Sequence, residues 1–166
     1  DEGLAYDART QLQSGYFYPG TFTVRIQTKS STVAYAMQLA FEEIEKFTAQ
    51  GATAQELSEA QKSLIDAFPA IFESGAEIAR AFLDNRYVGR EDDYYDTYRD
   101  KIRAVTLGDI KRVAAEYFKR ENFTLCVVGK YAACENGDGT HAAKLADFGS
   151  AKRLTEKELE ALCAAP

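Results

Sequence analysis

The chain has 166 residues, 46% of them hydrophobic and 12% aromatic, enough to build the core of one ordinary domain and unlike a disordered, collagenous or coiled-coil composition. Its formal net charge of −6 and pI near 4.9 exclude the basic footprint that phosphate binding requires, so no nucleic-acid partner is expected. One histidine among 166 residues excludes a self-contained hydrolytic zinc site, which takes two or three imidazole or carboxylate ligands and an open water position.

The chain opens with Gly3-Leu4-Ala5-Tyr6 and alternates loosely to Gln13, with Leu4, Tyr6, Ala8 and Leu12 on one parity. Ser14 to Gly20 holds the turn formers of a hairpin connection, and Thr21–Thr28 alternates cleanly, with Phe22, Val24 and Ile26 on one face. This predicts an antiparallel pair with one buried face. From Ser31 the period becomes helical: Val33, Met37, Ala40, Phe41, Ile44 and Phe47 form a stripe, Ser31 or Thr32 is placed to cap it, and Gly51 to end it. Thr53-Ala54-Gln55-Glu56 is a capping box for a second helix with Leu57, Ala60, Leu64, Ile65 and Phe68 inward, ended or kinked by Pro69. Ser74-Gly75-Ala76-Glu77 starts a third, expected to face Ile78, Ala79, Phe82 and Leu83 inward and to stop at Gly89.

Asp92–Val105 and Leu107–Phe118 read as a fourth and fifth helix, parted by Thr106, which forms a capping-box pattern with Asp109. Phe123–Gly129 is β-branched and nearly all apolar and predicts a buried central strand. Residues 130–153 are rich in Gly, Ala, Asn and Asp and read as a loop or irregular strand return; Thr155-Glu156-Lys157-Glu158 caps a last short helix carrying Leu154, Leu159 and Leu162. The order β-β-α-α-α-α-α-β predicts an α+β fold, an antiparallel sheet with helices packed on one face. Three strands are few for five helices, so further strands are expected before Asp1. The expected division is 1–130 as an incomplete half-domain and 131–166 as an extension whose short helix packs on it. No apolar run approaches the ~18 residues of a membrane span.

Several groups could carry chemistry. His141 lacks a nucleophile-elbow motif or any candidate nucleophile at fixed spacing and reads as an exposed loop histidine. Glu42-Glu43-Glu45 and Glu91-Asp92-Asp93 read as solvated or dipole-aligned acids rather than a catalytic pair. Gly137-Asp138-Gly139 is too short for a phosphate cradle. Tyr16-Phe17-Tyr18, Tyr87, Tyr94, Tyr95 and Tyr98 read as half-buried packing, with a peptide-contact wall as the alternative. Cys126 reads as a core residue; Cys134 and Cys163 are either two free thiols or a pair formed in an oxidising compartment.

Gly3-Leu4-Ala5-Tyr6, Gly20-Thr21-Phe22-Thr23-Val24 leading into Gln27-Thr28, a long helix, Gly51 to Leu57, Ala60 to Leu64, Thr106 to Ile110 and a strand ending Val127-Val128-Gly129 together resemble the C-terminal half of the pitrilysin/insulinase (M16) zinc peptidases. The resemblance covers residues 2 to 130 and lies in the ensemble rather than in one element. It implies a half of a clamshell that binds no metal, has no cofactor of its own and is inactive alone. Zinc would be held on an inverted His-x-x-Glu-His helix of the N-terminal M16 half-domain, a partner in the same parent chain or in another subunit, and the substrate would be a peptide or unfolded protein. It implies one site residue, Tyr6, which would position substrate with an arginine expected ahead of Asp1. A phenol at a cleft edge donates to a developing oxyanion, while the alternative for Tyr6 is simple packing at a strand end. The family also has non-catalytic assembly or core subunits, so an interaction module is the second implied role.

Overall fold

The computed structural model describes residues 4–163, with the side chains of Leu159 and residues 161–163 outside the description. The fold is α+β: 59% helix, far above the roughly one third of an ordinary domain, with an antiparallel two-stranded sheet and seven α-helices among the described residues. The hairpin pairs β1 (Ala5–Gln13) with β2 (Thr21–Thr28). The helices are α1 (Val33–Gln50), α2 (Ala54–Ala67), α3 (Gly75–Tyr87), α4 (Tyr94–Ala104), α5 (Leu107–Tyr117), α6 (Tyr131–Asn136) and α7 (Glu156–Cys163).

Local chemistry sets most of these boundaries as predicted. Gly51 ends α1 at φ +77°, a conformation that costs glycine nothing. Thr53 and Thr106 open α2 and α5 with complete capping boxes, each hydroxyl accepting from the amide three residues on while that residue's carboxylate accepts from the cap amide. Ser74 caps α3 through the Glu77 amide, and Thr155 and Glu158 bond reciprocally at the start of α7. Pro69 ends α2, after which Phe68–Phe72 runs on as a 3₁₀ turn. At α1 the expected cap gives way to a 3₁₀ turn, Ser30–Thr32; the Thr32 hydroxyl donates to the Lys29 carbonyl at 3.1 Å and lies 2.8 Å from that of Thr28.

Contacts divide the chain into two compact units, one of Asp1–Arg9, Arg25–Ala40 and Leu125–Pro166, the other of Thr10–Val24 and Phe41–Thr124. In the first, Ala34, Ala36 and Cys134 are buried and α6 packs on the Ser30–Thr32 turn. Gly129 makes that approach possible, since a Cβ there would stand 3.1 Å from Ser30 Oγ and 3.4 Å from Cys134 Sγ. In the second, Phe68 is the hub. Its ring stacks on Tyr98 at 4.8 Å, meets Phe72 edge-on at 5.4 Å and carries the Arg99 guanidinium at 5.0 Å. Phe118, just past α5, lies 4.8 Å from Phe22 of β2 and 6.4 Å from Phe47 of α1. The Gln61 amide of α2 donates to the carbonyls of Ile102, Arg103 and Val105, satisfying the end of α4.

Four expectations are corrected. The stretch 123–129 forms no strand: it enters no sheet ladder, and Cys126, taken for a core residue, is exposed there. A β-branched sequence supplies propensity, and a ladder also needs a neighbour. Only β2 has the predicted half-buried face; on β1, Tyr6 is 77% and Leu12 74% exposed. The buried line of α3 is Ala81 and Asn85, while Ile78, Phe82 and Leu83 stay exposed. Residues 130–153 hold α6 and a 3₁₀ turn at Leu145–Phe148 rather than a plain loop.

Candidate substrate-contact site

Tyr6 is the second residue of β1, where side chains alternate across the strand, so it shares a face with Ala8 while Asp7 and Arg9 occupy the other. Asp7 and Arg9 form their own ion pair at 3.0 Å. The strand end is pinned by the Thr28 hydroxyl, which donates to the Leu4 carbonyl at 2.6 Å. The Tyr6 phenol has no hydrogen-bond partner among the described residues and is left facing solvent on a hydrogen-bonded hairpin. Gly3, which opens the Gly-Leu-Ala-Tyr pattern, lies outside the described residues.

The lone histidine is placed differently from its expected exposure. In the first unit His141 is half-buried, its ring stacked on Tyr35 of α1 at 3.7 Å and 13°, with Nδ1 2.7 Å from Asp138 Oδ2. Asp138 also accepts the amides of Thr140 and His141 at 3.0 Å each, and these bonds with His141 hold its carboxyl well below the usual carboxylate range. This is a closed loop clasp whose carboxylate is consumed by its own backbone. The readable signal is the Asp three residues before His in a Gly-flanked turn. Cys134 is a buried free thiol.

In the second unit the tyrosines sort into two kinds. Tyr95 is a packing residue: its hydroxyl donates to the Ala81 carbonyl at 2.9 Å, its ring meets those of Phe72, Phe82 and Tyr94, and burial pushes the phenol up. Tyr16, Phe17, Tyr18 and Tyr87 are exposed, against the half-burial expected of them, and rim an open recess of about 340 Å³ at the hairpin connection. Arg90, which no motif marked, orders this rim. Its guanidinium lies 5.1 Å from the Tyr16 ring and 4.2 Å from the Tyr94 ring, and donates to the Tyr16 hydroxyl at 3.0 Å. The acids Glu43 and Glu45 pair with Lys46 and Arg120, as solvated helix charges do.

Zinc is the metal the M16 resemblance implies, and the residues present do not fit it. Among the described residues no three His, Cys, Asp or Glu side chains converge, and the His141 ring is committed to Asp138 and Tyr35. Residues 1–64 match the family model described as the Peptidase M16 inactive domain. The match takes in β1, β2, α1 and most of α2, and it is to a domain described as inactive. A comparison with curated proteins finds no match. No helix among the described residues is long and apolar enough to cross a membrane.

Proposed function

We propose that this chain acts as the substrate-positioning, non-zinc-binding half of a pitrilysin-like peptidase, inactive alone and paired with an N-terminal M16 half-domain that supplies zinc and the glutamate base. The observation that carries this reading is that the matched inactive-domain stretch contains the exposed strand phenol of Tyr6. In the closed pair an extended peptide or unfolded protein lies along a sheet edge, which lends its backbone groups, and the Tyr6 hydroxyl donates to the oxygen of the reacting carbonyl as charge develops there. The second reading, an assembly or core subunit, draws support from the exposed aromatic rim of Tyr16, Phe17, Tyr18 and Tyr87.

The test combines the chain with a zinc-binding M16 half-domain and follows hydrolysis of dye-labelled unfolded casein. The chain alone is expected to give no turnover with added zinc. In the combination, Tyr6→Phe is expected to lower kcat on the order of 10²-fold with little change in KM or melting temperature, as for loss of one oxyanion donor. Unchanged kinetics would remove Tyr6 from the mechanism, and chelator-sensitive turnover by the chain alone would overturn the half-enzyme reading.

A further inference from the structure

Arg90 stands out because its charge is left unanswered. It is half-buried in the connection between α3 and α4, with its guanidinium 5.1 Å from the Tyr16 ring and 4.2 Å from the Tyr94 ring. Asp84, Glu91, Asp92 and Asp93 are its near neighbours in sequence, yet Arg90 joins no ion pair among the described residues. Its one hydrogen bond goes to a neutral group, the Tyr16 hydroxyl at 3.0 Å, so most of its N–H donors are unused. The Tyr16 ring that carries this cation is also a wall of the recess of about 340 Å³, beside Phe17, Tyr18 and Tyr87. That recess is braced. A Cβ at Gly15 would overlap the Tyr18 carbonyl and one at Gly20 the Gln13 carbonyl, so the connection closes tightly on its glycines, and Phe17 meets Tyr87 edge-on at 5.5 Å. No acidic or basic side chain lines it.

We infer that Arg90 and the recess beside it bind the C-terminal residue of a peptide, with its free carboxylate on the guanidinium and a large apolar side chain against Phe17, Tyr18 and Tyr87. Charge complementarity selects the first group. A half-buried cation with unused donors is answered by an anion, and the planar guanidinium takes a carboxylate through two parallel N–H···O bonds. The aromatic walls select the second group, because an apolar side chain gains there from both burial and ring geometry. Size and placement select a chain end: the recess is small for a ligand pocket and suits one side chain, and the cation and the recess share the Tyr16 ring. A terminal residue carries its carboxylate and its side chain on the same carbon. An Asp or Glu side chain would bring the carboxylate without the apolar group. A free amino acid would add an ammonium, for which the recess has no acidic partner, whereas in a peptide that nitrogen is a neutral amide. This inference depends neither on the role proposed for Tyr6 nor on zinc.

The experiment uses the whole chain without any zinc-binding half and follows its side-chain NMR signals during titration with acetyl-Gly-Ser-Gly-Ser-Phe bearing a free carboxylate. The Arg90 Nε–H and the rings of Phe17 and Tyr87 are expected to shift together and to saturate at millimolar probe or below. Amidating the C-terminus of the probe, or ending it in Gly, is expected to weaken binding about tenfold in each case. Free phenylalanine, and an amidated probe with Glu in place of the last Ser, are expected to bind no better than the amidated parent. Arg90→Gln is expected to weaken the carboxylate probe about tenfold and to leave the affinity for the amidated probe unchanged, a pattern that simple loosening of the rim would not give. The inference is overturned if the amidated or the Gly-ended probe binds as tightly as the parent, or if millimolar probe shifts no Arg90 signal. It fails equally if free phenylalanine matches the peptide, which would make this an amino-acid site, or if the Glu probe does, which would make it a reader of side-chain carboxylates. The probe series leaves the protein unaltered, so the outcome stands even if Arg90→Gln disturbs the hairpin.

Discussion

Single side chains decide where the helices begin, and their chemistry sets an acid limit on stability. Glu56 and Glu158 are held low chiefly by bonds from the amides of Thr53 and Thr155, and Asp109 chiefly by the Thr106 hydroxyl. A carboxyl whose pKa is depressed on folding stabilises the native state above its unfolded pKa, and that stabilisation is lost as pH falls through the folded pKa. Stability is therefore expected to be flat from neutral pH down to about 5 and to decline progressively below it, as unfolded carboxyls take up protons that the folded ones still refuse. In Glu56→Gln the acid decline in melting temperature is expected to be shallower than in the parent; an identical decline would remove the cap from the account. These contacts were legible from residue order alone, because a capping box needs only positions N-cap and N3. The clasp of His141 on Tyr35 was not, since the two residues stand more than a hundred positions apart.

At the scale of elements, periodicity located every helix of the first 120 residues, and contact decided which face each would bury. The α2 stripe leads to Phe68, which is buried by stacking on Tyr98 and edge contact with Phe72. Phe68→Ala is expected to cost roughly 3 kcal/mol in denaturant unfolding, because truncation removes these ring contacts and opens a cavity; a loss under about 1 kcal/mol would show that the hub collapses without cost. The α3 stripe misled for a physical reason. A helix that presents Ala81 and Asn85 to its neighbours buries little apolar area, so its largest side chains do not mark its inner face. Strand 123–129 misled in the opposite way: strand propensity is local, whereas a ladder is a property of two segments.

For the whole molecule, pairing with a zinc-binding half is the proposed condition of activity, and association that favours the folded state has a thermodynamic signature. Titration with the N-terminal M16 half-domain is expected to raise the melting temperature with concentration, by the mass-action gain of a partner that binds only the native chain. A melting temperature independent of that half would count against the pairing. The order of α1 to α5, the caps of α2, α3, α5 and α7, the alternation of β2 and a resemblance to M16 peptidases over residues 2–130, of which the family model matches residues 1–64, were read from sequence, because each rests on spacing within short stretches. Tertiary structure alone decided that Tyr6 faces solvent, that Arg90 lies over Tyr16 and Tyr94, that His141 stacks on Tyr35, and that Leu125–Gly129 has no ladder. Each of these depends on what distant residues bring to the same place, and a linear pattern carries no record of that distance.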